Sequence, residues 1–463
     1  MKKLLTLILS ALLVVGCLSI TACKKDNSEN GNDAGVIAIP EFDSQVPSVK
    51  VGADFKVGFI FLHDQKSTYD LNFINAANEA CAYYGLTDSQ ILTKTNVPET
   101  SECYNAAEDL VSKGCKVIFA DSFGHESYIM QSAKSHPDVQ YFHATGTSSN
   151  VTEGSRTKLA NVHNAFANIY EGRYLAGYAA GLKLAELIEK GDKKVPKTGD
   201  INIGYVGAFT YAEVISGYTS WYLGVKQGCI DGGKADDAAR IKMKVTFTGS
   251  WYDVAKEKAG AEKLIALGCV IISQHADSMG APSACEAKGV YNVFYNGTTI
   301  KECPNTFLIA SRIDWSYYMK TMIGNVANNK AVPADYCATI ENGAVVISDV
   351  NAKLLSAAQV KKILEMRVAL VNKTVRVFDC SKFTVDAEAN KNATVDANGR
   401  LTAYNADYID VKGDDGKSNY VPDGNVVETD SETGITYFSE STKRSAPYFD
   451  LTIDGIELLD RIY

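Results

Sequence analysis

The chain has 463 residues, 46% of them hydrophobic and 22% charged, the balance of a globular protein with a large core and length enough for two or three domains. A formal charge of -9 argues against nucleic acid as a partner, because phosphate backbones need a basic face. The same charge argues against adhesion to anionic lipid headgroups, so any membrane attachment has to come from elsewhere.

The first residues offer one. Lys2 and Lys3 precede an apolar run from Leu4 to Ile20, the layout of a secretory signal. The run ends in Ile20-Thr21-Ala22-Cys23, which resembles a bacterial lipobox; cleavage before Cys23 removes residues 1–22 as a signal peptide and leaves Cys23 for lipidation. Val14-Val15-Gly16-Cys17 is a second match, but Cys17 still lies in apolar sequence, whereas polar residues follow Cys23. Two acyl chains on one cysteine anchor stably where a single chain is marginal. An uncleaved transmembrane anchor is the alternative, and it leaves the rest of the chain in the same place. Residues 23–50 therefore read as a lipidated cysteine and a flexible tether.

Phe55 to Leu62 is an apolar run of strand length, and Leu71 to Tyr84 reads as a helix, with Phe73, Ile74, Ala77, Ala80 and Cys81 at helical spacing. A helix over 102–113, a strand over 117–120, a helix over 128–135 and a strand over 139–142 repeat the alternation. The second series opens with a long small-residue helix from Ala165 to Leu187. Strands over 201–206, 243–248, 270–273 and 292–295 follow, with helices over 211–228, 254–267 and 283–288 between them. Short apolar runs alternating with helices mean parallel βαβ units, so the fold class is α/β, two doubly wound lobes with a ligand crevice beyond the carboxyl ends of the strands. Beyond Phe378 the texture changes: Asp396-Ala397-Asn398-Gly399, Asp414-Asp415-Gly416, Pro422-Asp423-Gly424 and Asp454-Gly455 are turn signals between short β-prone runs, giving a β-rich tail over 378–463.

Nine cysteines remain after Cys17 and Cys23, an odd number without a C-x-x-C pair, so neither a zinc site nor a clean disulfide framework is indicated. Most read as small core residues. The six histidines have no metal-ligand spacing, and no phosphate-loop, zinc-protease, nucleophile-elbow or dinucleotide fingerprint occurs. We expect no enzyme, no metal and no cofactor.

Polar and aromatic residues gather just after the strand ends. Asp64 and Tyr69 follow the first strand; Ser122, Phe123 and Gly124 follow the strand ending at Ala120. Glu213, Trp251, His275 and Asp277 stand after successive strands of the second series, and Asn296 after Tyr295. A ring beside a hydrogen-bonding group suits a flat heteroaromatic ligand: stacking contributes about 1–3 kcal/mol per base, and buried edge atoms need partners. Several of these residues have plainer readings. Phe73 and Trp221 read as core, Asp253 as the cap of the helix that starts at Val254, and Tyr69 equally as helix face or cleft wall. His275 and Asp277, just beyond an apolar strand, are expected to be partly exposed.

Glu171-Gly172-Arg173-Tyr174-Leu175-Ala176-Gly177-Tyr178-Ala179-Ala180-Gly181, with Asp121-Ser122-Phe123-Gly124, Phe142-His143-Ala144-Thr145-Gly146, Trp251-Tyr252-Asp253 and Gln274-His275-Ala276-Asp277-Ser278, resembles the basic membrane lipoprotein family related to purine nucleoside receptors. The match runs from about residue 55 to about 325. The resemblance implies a type I periplasmic-binding-protein fold whose lobes, 55–165 with part of 297–345 and 166–296 with part of 345–377, close on a ligand like a hinged trap. It places crossovers near Asn161–Asn168, near Tyr295–Thr299 and in the 325–350 region. It implies stacking at Tyr69, Phe123 and Trp251, and edge or ribose contacts at Asp64, Asp277 and Asn296, the last standing where many relatives have Asp. The implied protein is an extracytoplasmic lipid-anchored monomer that binds a purine nucleoside or nucleobase and serves an ABC permease. Riboflavin is an alternative ligand; a nucleoside hydrolase using Asp64 or His275, or a ligandless signalling lipoprotein, is the alternative of another class. The resemblance says nothing of the tail.

Overall fold

Short strands buried on both faces and helices with one apolar face favour parallel layers, and the computed structural model builds two such sheets, the second with antiparallel pairing at one edge. It describes residues 36–38, 46, 48–147, 159–409, 420–442 and 444–463; the signal segment, Cys23 and nearly all of the tether lie outside them. After β1 (Val36–Ala38) come β2 (Lys56–Ile60), α1 (Thr68–Tyr83), β3 (Ile91–Lys94), α2 (Ser101–Ser112), β4 (Cys115–Ala120), α3 (Glu126–Ser135), β5 (Gln140–Ala144) and β6 (Val162–Ala167). The Ser67 hydroxyl accepts from Asp70 N to cap α1, which buries Phe73, Ala76, Ala77, Ala80 and Cys81. All strands of this sheet are parallel, in the order β12-β6-β5-β4-β2-β3, where β12 (Asp335–Ala338) arrives from much later in the chain.

The second series runs α4 (Ile169–Glu189), β7 (Ile201–Gly207), α5 (Ala212–Asp231), a short α6 (Ala235–Ala238), β8 (Ile241–Phe247), α7 (Val254–Ala266), β9 (Ile271–Gln274), α8 (Gly280–Lys288), β10 (Tyr291–Tyr295), β11 (Phe307–Ile313), α9 (Ser316–Ala327), β13 (Val345–Asn351) and α10 (Ala357–Val371), with β12 between α9 and β13. Its eight-stranded sheet has the order β1-β13-β11-β10-β9-β7-β8-β19, where β19 (Ile456–Leu458) comes from the end of the chain. The small residues of α4 let it touch α5 backbone to backbone. A Cβ on Gly177 would stand 2.2 Å from the Trp221 carbonyl oxygen, and one on Gly224 2.1 Å from that of Tyr174. Trp221 and Phe73 are core, as their positions imply, and Asp253 caps α7 by accepting from Ala255 N and Lys256 N.

Two expectations fail here. The long helix does not begin at Ala165: residues 162–167 form the buried strand β6, and the helix starts at Ile169. The Ala-Phe-Ala end of the strand runs into an alanine-rich helix with only Asn168 between, so no turn residue marks the break. The chain also does not cross near Tyr295–Thr299. β10 and β11 pair in parallel within one sheet, so the crossing comes instead between Ile313 and Ser316, before α9 packs on α1. The crossings near Asn168 and between β12 and β13 lie where expected.

The tail holds an antiparallel sheet of β14 (Ala393–Val395), β15 (Leu401–Ile409) and β16 (Tyr420–Asn425), then a hairpin of β17 (Val427–Thr429) and β18 (Thr436–Phe438). Asp396 Oδ1 accepts from Asn398 N and Arg400 N while Gly399 takes φ 74°, which makes the predicted turn between β14 and β15. Phe378 stacks on Phe449 at 4.2 Å, with Phe438 edge-on. The last strand, β19 (Ile456–Leu458), joins the second sheet parallel to β8. Among the described residues no helix is long and apolar enough to cross a membrane. The nine described cysteines are unpaired, and eight are buried.

Candidate functional site

Parallel strands send their carboxyl ends, and the loops that follow, to the same edge of each sheet. Those edges face one another here across a cavity of about 740 Å³, inside the roughly 300–1,000 Å³ span of small-molecule sites. The first lobe supplies Leu62, His63, Tyr69, Asp70, Ser122, Phe123, Thr145 and Phe166. The second supplies Tyr211, Glu213, Trp251, His275, Asp277 and Tyr295.

Rings form one part of the wall. Phe123, in the turn after β4, lies 5.5 Å from Tyr211 of the facing lobe. Tyr211 stacks on Phe209 at 5.2 Å, and Trp251 stands edge-on to Phe209 at 5.1 Å. Tyr69 packs on Phe73 at 5.1 Å and its hydroxyl donates to the Asp121 carbonyl at 2.7 Å, so it serves both as helix face and as cavity wall.

Acids and a histidine form another part. Glu213 Oε1 lies 3.1 Å from His275 Nε2, and Tyr205 Oη lies 3.3 Å from His275 Nδ1. Burial pushes the imidazole pKa down, and the Arg173 guanidinium adds to this against the opposing pull of Glu213. The ring is therefore neutral at physiological pH, with Nε2–H donating to Glu213 and Nδ1 accepting from Tyr205. Burial raises the Glu213 pKa, but His275 and Arg173 outweigh it and the carboxyl stays ionised. Arg173 is itself buried, donates to the Gln274 carbonyl at 2.5 Å, and covers the Tyr295 ring at 3.5 Å.

Asp277 behaves oppositely. Burial, then the nearby Glu257 and Asp70, raise its pKa well above the ordinary carboxylate range, which favours the protonated form that can donate as well as accept. Burial and the Asp70 charge likewise raise the pKa of Asp121, whereas Asp70 overcomes its own burial through bonds from His63, Ser67 and the His63 backbone.

The lobes are in contact across the cleft. Asn72 Nδ2 donates to the Asn296 carbonyl at 2.8 Å, Thr68 Oγ1 to that of Asp277 at 3.3 Å, and His63 lies 5.5 Å from Tyr252. His275 and Asp277, expected to be partly exposed, are only 2% and 6% exposed: Glu213, Tyr205 and Tyr295 of its own lobe enclose the His275 ring, and Thr68 of the opposite lobe reaches over Asp277.

Of the sequence-derived candidates, Tyr69, Ser122, Phe123, Glu213, Trp251, His275 and Asp277 meet at this cavity. Asp64, Gly124 and Asn296 stand off it. Asp64 turns its carboxylate back onto Lys66 N at 2.9 Å, and Asp70 occupies the wall instead. Gly124 N is bonded to Glu99 Oε1, which also holds the Ser122 hydroxyl. Asn296, at φ 62°, points its amide toward Asp277 Oδ1 at 3.4 Å and acts behind it. Sequence reasoning did not name Asp70, Tyr211 or Thr145 as ligand residues, although Thr145 lies inside the Phe142–Gly146 segment and the other two stand one and two residues from Tyr69 and Glu213. It also missed Arg444, Ala446, Pro447, Tyr448, Arg461 and Tyr463 of the tail, which line the cavity and carried no local signal.

Comparison with known proteins agrees with this architecture. The Bmp family model, described as ABC transporter substrate-binding protein PnrA-like, matches residues 60–380. A purine-binding protein of Brucella abortus is 31% identical over 224 residues, 48% of this chain and 55% of that one. A Haloferax volcanii protein, provisionally named an ABC transporter glucose-binding protein, is 28% identical over 226 residues, 49% of each. The chain thus spans about half the length of the curated relatives it matches. An ABC transporter solute-binding protein of Aeropyrum pernix superposes with a TM-score of 0.55 at 15% identity, covering 70% of this chain and 93% of its own. The fold is the type I periplasmic-binding fold.

Proposed function

Because the chain belongs to the PnrA-like family of ABC transporter substrate-binding proteins, we propose that it captures a purine nucleoside or nucleobase between its lobes for an ABC permease. The observation that carries this is the pairing of Phe123 and Tyr211, rings from opposite lobes, in one cavity wall with the carboxyl groups of Asp277 and Glu213. A flat base gains about 1–3 kcal/mol from stacking. Its edge presents both acceptors and donors, and one carboxyl whose pKa burial raises beside another that His275 and Arg173 hold down suits it with a partner of each kind. The purine-binding relative in Brucella abortus supports the same ligand class.

In operation, the ligand stabilises the closed arrangement because only closure brings Phe123 to Tyr211 and Asn72 to Asn296. The closed form presents both lobes to the permease. The reading includes an extracytoplasmic location, with Cys23 acylated as the anchor, and no catalytic step.

A thermal-shift screen of the protein lacking residues 1–23 tests it. Ligand bound only by the folded state stabilises by RT ln(1 + [L]/Kd). A shift with adenosine, guanosine, inosine or their bases, and none with ribose, is expected. A response to glucose and to no purine would favour the sugar reading that the Haloferax volcanii relative suggests.

A further inference from the structure

The region that matches the family ends at residue 380, yet the chain beyond it comes back to the cavity. A terminal segment that merely trails off is held at few points; this one is fixed on both lobes. On the first, Ser445 N donates to Asp335 Oδ2 at 2.6 Å, the Ser445 hydroxyl bonds Asp335 Oδ1, and Asn164 Nδ2 donates to that hydroxyl at 3.0 Å. The Glu440 carboxylate accepts from Tyr448 N at 3.1 Å and Phe449 N at 2.9 Å, which sets the turn between them. On the second lobe, β19 pairs with β8, and Asp460 accepts from Thr246 Oγ1 at 2.6 Å and Phe247 N at 2.7 Å. Thr210 and Ile462 exchange bonds of 2.6 and 3.0 Å beside the Glu213 loop.

The basic groups of the wall come from the tail, and its acids from both lobes and from the tail's Asp450. The lobes contribute the carboxyl groups of Asp70, Glu213 and Asp277. Arg444 and Arg461 come from the tail, and no lysine or other arginine stands among the described lining residues. Arg444 is held in place: its guanidinium lies 4.3 Å over the Tyr448 ring, and its Nε donates to the Ala446 carbonyl at 3.3 Å. Arg461 is exposed and reaches Tyr463 Oη at 3.4 Å. Asp450, also in the wall, receives the Tyr404 hydroxyl.

We propose that residues 444–463 are part of the ligand site, and that Arg444 and Arg461 select a ligand whose end facing the tail carries acceptor oxygens, a ribosyl or phosphoribosyl group, over a bare base. The inference rests on the purine reading above. Guanidinium groups donate and never accept, and they stand at the tail side of the cavity, away from the ring pair that would hold a base. An oxygen-rich substituent supplies their acceptors.

The test is calorimetric titration of the wild-type protein, Arg461→Gln and Arg444→Gln with adenine, adenosine and adenosine monophosphate. Arg461 is exposed, so its variant folds whatever becomes of Arg444→Gln, and melting without ligand checks both. The expected result is a loss of about 10- to 100-fold in affinity for the ligands with a ribosyl group, with the affinity for adenine held within about twofold. Adenosine against the monophosphate tells which oxygens are read: a larger loss for the monophosphate assigns the phosphate, an equal loss the ribose. Unchanged affinity, or an equal loss for adenine, would overturn the proposal. Wild-type protein that binds a sugar and no purine would overturn the purine reading instead, and titrating the Arg461→Gln variant with that sugar still decides whether the tail touches ligand. Silence toward every compound would refute both.

Discussion

Replacing Phe123 by alanine removes a ring at the one place where both lobes and the proposed ligand meet. The ring lies 5.5 Å from Tyr211 of the facing lobe, and an aromatic pair of this kind contributes about 0.5–1.5 kcal/mol. Stacking against a base adds about 1–3 kcal/mol. Together about 1.5–4.5 kcal/mol is lost from the bound state, so Kd rises about 10- to 1,000-fold. The ring is only half-buried and sits in a surface turn, so the ligand-free protein should unfold within about 1 kcal/mol of wild type. Titration calorimetry reads the first quantity and denaturant unfolding the second. An unchanged Kd would remove Phe123 from the site; a weak Kd with an equally large loss of stability would make the ring structural.

Other consequences are as concrete. Asp277→Asn, which copies a protonated acid, should hold Kd within about threefold, while Asp277→Ala should raise it at least about tenfold by leaving ligand atoms unpaired; equal losses in calorimetry would mean the group is ionised. Burial raises the Glu440 carboxyl to about 8 from its usual 4.5, so between these values the folded chain keeps a proton that the unfolded chain has released, and stability falls as pH rises through that window. Glu440→Gln should accordingly lose less stability between about pH 5 and about pH 8 than wild type in denaturant titrations; parallel curves would refute it. Gly177→Ala should cost about 3 kcal/mol or more, since its methyl group meets a carbonyl oxygen of α5 that cannot step aside, and a melting temperature within about a degree of wild type would contradict the contact.

How much of this was legible in the chain can be argued residue by residue. Strand-length apolar runs such as 117–120 and 270–273 specified the parallel sheets, because a strand buried on both faces must be apolar throughout. The residues after those runs pointed to one cleft, since parallel strands all deliver their carboxyl ends to the same edge; hence Phe123, Trp251, His275 and Asp277 could be named from position alone. Strand β6 hid because its alanines suit a helix equally well, and only pairing with β5 and β12 makes it a strand. Asp64 and Asp70 are both carboxylates near one strand end, and local sequence cannot tell which faces the cavity; the backbone of Lys66 claims the first and leaves the second in the wall. The pKa directions depend on burial and on charges distant in sequence, Glu257 and Asp70 for Asp277 and Arg173 and Glu213 for His275, which only the tertiary structure brings together. The tail was hardest to read. Its turns at Asp396–Gly399 and Asp454-Gly455 are local and were legible. Pro422-Asp423-Gly424, read as a turn, lies within β16 because it pairs with β15, and Asp414-Asp415-Gly416 falls outside the described residues. The return to the cavity depends on Ser445 meeting Asp335 and on β19 meeting β8, pairings more than a hundred residues apart that leave no periodic trace. Patterns of period two and 3.6 record which face a residue turns to its own core; they carry no record of which distant segment comes to lie against it, and that only the folded chain decides.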